Sequence, residues 1–256
     1  MVELNMFDFE KLNEDCFIVV FGKRSSGKTV LCKDITRCKA ANDNSRSLAF
    51  APSVAPPVAP SVHFVDDNEK LYLQNLVVVT TDCATGENIN SYEEFEKAKI
   101  HNTFDMAIVD NFWKAAKGRH RNKKTMLILD NCVPPSFLFA QHRTMNKLLF
   151  NGRHYQSSLI MTFGNCAGIP PQHRDQFDYI FMFKETNPSV LRKLYDDYVF
   201  GCYSYEMFEE WMIKYTEEDY MCLVIDRRLA SIFRRGETAN SPICWYKTYG
   251  ESYVLK

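Results

Sequence analysis

The chain predicts an α/β fold built on a mainly parallel central sheet, and three observations carry that prediction. Residues 22–29 read Gly-Lys-Arg-Ser-Ser-Gly-Lys-Thr directly after an apolar run at 17–21. Continuous apolar runs recur at 126–129, 158–163 and 179–183, the pattern of strands buried on both faces of a sheet. Segments of helical period separate these runs, and strands alternating with helices assemble into parallel sheets.

The elements follow in order. Residues 17–21 read as a strand and 30–36 as the start of a helix. Residues 47–51 are a short run expected to form a second strand. Four prolines at 52–60 make a stiff connection rather than an element interior. Residues 76–81, rich in valine and threonine, read as a strand, and 92–117 carries helical spacing ending in a basic stretch. The runs at 125–131, 158–163 and 179–183 are the buried strands. Helices are expected at 190–198 and 205–215, and late strands at 221–226 and 243–247. The expected organisation is one domain over 1–256. It comprises an N-terminal extension at 1–15, a nucleotide-binding core at 16–185, and C-terminal helices and late strands at 186–256.

Composition narrows the function. With 46% hydrophobic and 25% charged residues the chain is ordinary for a globular protein. A formal net charge of −1 means that any nucleic-acid contact rests on local basic patches. No apolar run is long enough to span a bilayer. The N-terminus at 1–13 has more acidic residues than its one lysine, unlike a signal or transit peptide. The nine cysteines are odd in number and contain no C-x₂-C pair, so they read as buried thiols of a reducing compartment. No histidine pattern suggests zinc.

Residues 22–29 form a complete P-loop in the setting that the motif requires, between strand and helix. A nucleoside triphosphate brings several negative charges out of water. Loop N–H groups and the positive end of the following helix can receive them. Gly22 and Gly27 permit close backbone approach. Lys28 is expected on the β- and γ-phosphates, and Thr29 offers its hydroxyl to Mg2+. Lys23, Arg24, Ser25, Ser26 and Val30 complete the expected nucleotide-contacting set, with ATP as the nucleotide.

Asp130 closes the run at 126–129, and an acid at the C-terminal end of such a strand faces the ligand crevice. It is expected to hold Mg2+ through water opposite Thr29. A helix N-cap is the plainer use of Asp130. Asp110, in a similar Ala-Ile-Val-Asp context, lies in a stretch of helical period and ranks behind it. Asn131 stands where hydrolysing P-loop enzymes usually place a carboxylate; an amide can orient a water but cannot take its proton. Arg153, read alone, suits a surface ion pair more than an arginine finger. The basic residues of 114–124, and Arg227, Arg228, Arg234 and Arg235, can grip DNA phosphates or simply face solvent.

Ordered pieces then carry a resemblance. They are 22–29, Leu-Ile-Leu-Asp-Asn-Cys at 127–132, Leu-Phe-Asn-Gly-Arg-His-Tyr at 149–155, Gly-Ile-Pro-Pro-Gln-His-Arg at 168–174, and Asp-Tyr-Ile-Phe-Met-Phe-Lys-Glu at 178–185. Together with 222–226 and Trp245-Tyr-Lys they resemble the genome-packaging ATPases of large double-stranded DNA viruses and virophages, within the FtsK–HerA superfamily. The resemblance covers about 17–247. It implies a RecA/ASCE-like P-loop NTPase that forms a homo-oligomeric ring, hydrolyses ATP with Mg2+, and drives double-stranded DNA into a capsid alongside a capsid or portal vertex protein. Its expected setting is the host-cell cytoplasm, a viral factory or the virion. It implies Lys28, Asp130 and Asn131 at the catalytic centre, Thr29 and Asp130 on the metal, and Arg153 as the trans-acting finger with Arg174 as second candidate. Two positions depart from the pattern: Asn131 replaces a second acid, and Gly164 falls where a glutamine sensor is usual, with Asn165 one residue on. They motivate an alternative, a ring component that binds ATP and DNA but hydrolyses slowly or not at all. A small-molecule kinase is a third reading, with no arginine-rich lid segment to support it.

Overall fold

Side chains along Phe17–Phe21 (β1) alternate between two cores. Phe17, Val19 and Phe21 join one, and Ile18 and Val20 the other. A strand with two apolar faces needs cover on both sides, and the helices supply it. The structure is a computed structural model that describes residues 3–48, 71–72, 76–80, 92, 94–96, 98–118, 124–132, 134–139 and 143–248.

The long helix Lys28–Leu48 (α1) follows β1 and packs Leu31, Cys32 and Ile35 on the second core. Then come Leu71–Tyr72 (β2), Leu76–Thr80 (β3), Phe95–Glu96 (β4), Lys99–His101 (β5), Met106–Lys117 (α2) and Thr125–Asp130 (β6). Pro135–Phe139 (α3) and Arg143–Asn151 (α4) lead through a short 3-10 turn into Ser157–Phe163 (β7). Pro171–Arg174 (α5), Tyr179–Phe183 (β8), Pro188–Leu194 (α6), Tyr205–Tyr215 (α7), Met221–Asp226 (β9), Arg227–Arg234 (α8) and Ile243–Lys247 (β10) complete the order. Helices α2, α3, α4, α6 and α7 cover the first core through residues such as Phe112, Leu138, Leu148, Leu191 and Trp211. Each of these apolar side chains contributes about 1.5–3 kcal/mol when fully buried.

The main sheet has eight strands in the order β10-β9-β8-β1-β7-β6-β3-β5. From β8 to β5 the strands run parallel; β9 and β10 are antiparallel additions. β2 and β4 form a separate parallel pair. One strand, β7, separates the P-loop strand from β6: Val20 pairs with Thr162, and Thr162 with Asp130. This arrangement places the ends of β1, β7 and β6 along one edge, the crevice where open α/β sheets bind ligands.

Three expectations need correction. Ser47 and Leu48 are helical, not the start of a strand. Nothing between Ala40 and Leu48 is a glycine or proline, so α1 meets no breaker; residues 49–51 lie outside the described residues. The expected helix over 92–117 begins only at Met106, where the Asp105 carboxylate accepts the Ala107 N–H at 2.8 Å. Within its first part, Phe95–Glu96 pairs with β2, and Lys99–His101 adds to the sheet edge beside Val77–Val79, so inter-strand pairing overrides helical spacing. Residues 52–60 also lie outside the described residues. The helix expected over 190–198 is split: α6 stops at Leu194 and a π-turn covers Tyr195–Val199.

Candidate nucleotide-binding site

The P-loop leaves the C-terminal end of β1, where the Gly22 N–H donates to the Phe163 carbonyl at 3.1 Å. Ser25 at φ +61° and Gly27 at φ +105° curl the chain, and turns of this kind make concave, anion-binding backbone nests. A Cβ on Gly22 would lie 2.5 Å from Ser26 Oγ and 2.9 Å from Phe183 Cβ, so no other residue fits the approach to β8. Lys23, Arg24 and Ser25 are exposed on the loop, while Gly27 and Lys28 are buried and Thr29 and Val30 half-buried. The first turn of α1 carries no acidic side chain, which keeps its positive end available to an anion. The Lys28 ammonium donates to the carbonyls of Gly22 and Lys23, each at 2.7 Å. Lys23 pairs with Glu185 at 3.0 Å. Burial pushes the Glu185 carboxyl up, but the N–H groups of Asn187 and Thr186 together with Lys23 overcome it and hold the group below its ordinary value.

Asp130 is 1% exposed at the end of β6, and three hydroxyls converge on it. Thr29 Oγ1 donates to Oδ2 at 2.7 Å, Thr162 Oγ1 to Oδ1 at 2.7 Å, and the Tyr92 phenol to Oδ2 at 3.2 Å. Burial, then the Asp130 charge, pushes the Tyr92 phenol well above its ordinary value, so it stays a donor. This is a carboxylate held on both oxygens beside the P-loop hydroxyl. The donor set is all hard oxygen, which suits Mg2+ rather than zinc. No group of three His, Cys, Asp or Glu gathers among the described residues. The Thr29 hydroxyl and the Asp130 carboxylate are therefore the oxygen pair beside the P-loop that could hold such a cation.

Asn131 takes a left-handed backbone at φ +50°, a conformation asparagine tolerates better than most residues. Its N–H donates to Thr162 Oγ1 at 2.8 Å, and the residue is exposed beside Asp130. Gly164 is exposed, and a Cβ there would meet nothing within 4 Å. Asn165 is exposed and accepts the Ala167 N–H at 3.0 Å. Asp110 lies inside α2 rather than at the end of a strand.

Arg153 occupies the other edge of the sheet. Its guanidinium lies 4.3 Å from the Phe17 ring, at the start of β1, and donates to the Gln176 carbonyl and, at 2.9 Å, to Asp178 Oδ2. Asp178 also accepts the Phe17 N–H at 2.7 Å. The length of β1, about 13 Å at 3.3 Å per residue, separates that edge from the P-loop of the same chain. Arg174 is tied to Asp197 and to the Ile169 carbonyl. The second basic cluster is engaged internally: Arg227 on Asp175, Arg228 on the Tyr179 hydroxyl, Arg234 on the Tyr198 carbonyl and Arg235 on Glu237. In the first, Lys124 pairs with Glu14 at 3.6 Å and Lys117 lies over Trp113, while 119–123 fall outside the described residues. Cys16, Cys32, Cys132, Cys166, Cys202, Cys222 and Cys244 form no disulfide among the described residues.

Thr162 and Tyr92 are contacts of Asp130 that motif reading does not reveal. Thr162 is the polar residue in an apolar strand level with Asp130, which was a usable signal once β6 and β7 were paired. Tyr92 offers no such signal.

The fold is that of P-loop NTPases, with one strand between the P-loop strand and the strand that ends in Asp130. No family model matches the chain. It is 26% identical to the uncharacterised protein L437 of Acanthamoeba polyphaga mimivirus over 248 residues, which are 96% of this chain and 77% of that one. The fold is shared with B204, the DNA-packaging ATPase of Sulfolobus turreted icosahedral virus, at a TM-score of 0.60 and 15% identity, covering 93% of this chain and 100% of that one. The genome-packaging NTPase B204 of Sulfolobus turreted icosahedral virus 2 in complex with AMPPCP matches at 0.57 and 17%, over 93% of this chain and 100% of that one. The motif resemblance drawn from 22–29, 127–132 and the later pieces therefore meets a packaging-NTPase fold. No helix among the described residues is long and apolar enough to cross a membrane.

Proposed function

We propose that the chain is an ATP-driven motor subunit that moves double-stranded DNA into a viral capsid as a homo-oligomeric ring, working against a capsid or portal vertex protein. The carrying observation is the Lys28–Thr29–Asp130 corner on a fold that aligns over 93% of this chain with a whole DNA-packaging ATPase. The loop N–H groups and the α1 terminus take the phosphates, and Lys28 turns from its two carbonyls to the β- and γ-oxygens. Mg2+, when bound, neutralises charge developing on the β- and γ-phosphates. Thr29 and Asp130 hold it, and Thr162 and Tyr92 keep the Asp130 carboxylate from rotating. The Asn131 amide orients the attacking water without taking its proton.

Arg153 acts in this scheme on a neighbour's γ-phosphate, because its own P-loop lies across the sheet. Its test uses two variants. Lys28→Ala and Arg153→Ala are each expected to lack DNA-stimulated phosphate release, Arg153→Ala while still binding ATP. Co-assembled, they regain turnover at interfaces that join an intact loop to an intact arginine. Co-assembled rings as inactive as either variant would remove Arg153 from the shared site.

A second reading is favoured by one observation: the exposed position beside Asp130 holds Asn131 and no acid. On that reading ATP is chiefly an assembly ligand, and hydrolysis is slow.

A further inference from the structure

The end of β8 and the start of β9 bring a second set of side chains to the P-loop edge. Phe183 pairs with Cys222, and Met221 pairs with Lys247, so the residues just before β9 and just after β10 stand on the P-loop side of the sheet. These residues are Tyr220 and Thr248. The Thr248 N–H donates to the Tyr220 carbonyl at 2.9 Å, which couples the two. A Cβ on Gly27 would lie 2.8 Å from the Tyr220 ring, 3.3 Å from Phe183 and 3.4 Å from Thr248 Oγ1. Gly27 is therefore needed as much for the Tyr220 ring as for its own φ of +105°.

Three features of this corner are not explained by packing. Tyr220 has φ +66°, a left-handed conformation that a bulky residue adopts at a cost and that glycine would adopt freely. Its ring does not recover that cost by burial, because Tyr220 is 49% exposed. Thr248 is 5% exposed, and its hydroxyl has no hydrogen-bond partner among the described residues; nor does the buried hydroxyl of Ser26 within the loop itself. Buried polar atoms without partners are few in native proteins and call for a specific explanation. A strained aromatic face, half open, and orphaned hydroxyls, all meeting at the loop, are what a nucleoside would complete.

We infer that Tyr220 is the nucleobase platform of the site, with its exposed ring face stacking on the purine of a nucleotide whose phosphates lie in the P-loop, and with the Thr248 hydroxyl turning to the same nucleotide. The inference rests on the P-loop reading above. Stacking recognises any flat π-face, so Tyr220 adds affinity with little choice between adenine and guanine.

The experiment measures binding of ATP and of inorganic tripolyphosphate, which has the charge but no base, by titration calorimetry. Tyr220→Ala is expected to weaken ATP binding about 10-fold or more and to leave tripolyphosphate binding unchanged. Tyr220→Phe keeps the ring and is expected to bind ATP like the parent. Tyr220→Gly suits the left-handed backbone, so it is expected to melt higher while binding ATP as weakly as the alanine variant. That opposite movement separates stacking from folding. ATP binding unchanged in both ring-less variants overturns the inference while leaving the P-loop reading intact. Equal loss of ATP and tripolyphosphate makes Tyr220 a support for the loop and also overturns it. A parent protein that binds neither ligand defeats the P-loop reading itself.

Discussion

Thr162→Val replaces a hydroxyl that is 0% exposed with a methyl of nearly the same size. In the folded chain that hydroxyl gives its proton to Asp130 Oδ1 at 2.7 Å and accepts the Asn131 N–H at 2.8 Å. A hydrogen bond to a charged group is worth about 1.5–3 kcal/mol, and the buried carboxylate cannot replace this donor with bulk water. For a chain of this size the melting temperature should fall by about 3–12 °C. Asp130 keeps Thr29 and Tyr92 on Oδ2 but loses the Thr162 donor on Oδ1, which removes one restraint on rotation of the carboxylate. Hydrogen-bonding partners of metal-holding carboxylates typically matter by about 10–100-fold in metal affinity or activity. The expectation is a loss of that size in Mg2+-dependent ATP turnover, with ATP binding in EDTA unchanged. Thr162→Ser retains the hydroxyl and should recover most of both properties. The assay pairs a thermal melt with phosphate release across a Mg2+ titration. A lower melt with unchanged turnover would reduce Thr162 to a structural role, and no change in either would refute the hydrogen bonds themselves.

Two other predictions concern different parts of the chain. Asn131→Asp introduces an acid beside Asp130 at a backbone that aspartate also tolerates; a large gain in phosphate release would favour the slow-hydrolysis reading, whereas little change would mean that the water needs only orientation. His173 is 3% exposed, stacks on Phe139 at 5.0 Å and meets Asn146 Oδ1 at 2.7 Å, and burial pushes its pKa below the ordinary 6.5. The unfolded chain then binds the proton more readily, so stability is full above about 6.5 and is lost as pH falls toward the folded value. His173→Gln should flatten that acid-side slope in denaturant titrations, and an unchanged slope would assign it to other groups.

The central strands could be read from sequence because their burial is complete: every residue of Phe17–Phe21, Thr125–Asp130, Ser157–Phe163 and Tyr179–Phe183 is buried, and such strands are written as predominantly apolar runs. The P-loop and Asp130 were legible for another reason, since their chemistry fixes residue types at fixed spacing. Lys99–His101 was not legible, because an edge strand with one exposed and two half-buried residues leaves no apolar pattern. Tyr92 reaches Asp130 only through tertiary folding, across 38 positions of sequence. Tyr220 and Thr248 converge on Gly27 only because β9 and β10 run antiparallel beside β8, a register that no local signal encodes. Arg153 was legible as a motif residue, but its attachment to Phe17 and Asp178 at the edge opposite the P-loop came from the fold.

The most direct test of the central claim is phosphate release from ATP and Mg2+ by the purified full chain and its Lys28→Ala variant, each with and without double-stranded DNA. The account predicts release that rises with DNA in the parent and falls by on the order of 100-fold or more in the variant, because the buried ammonium meets charge on the transferring phosphate. Equal release by the two proteins would contradict it.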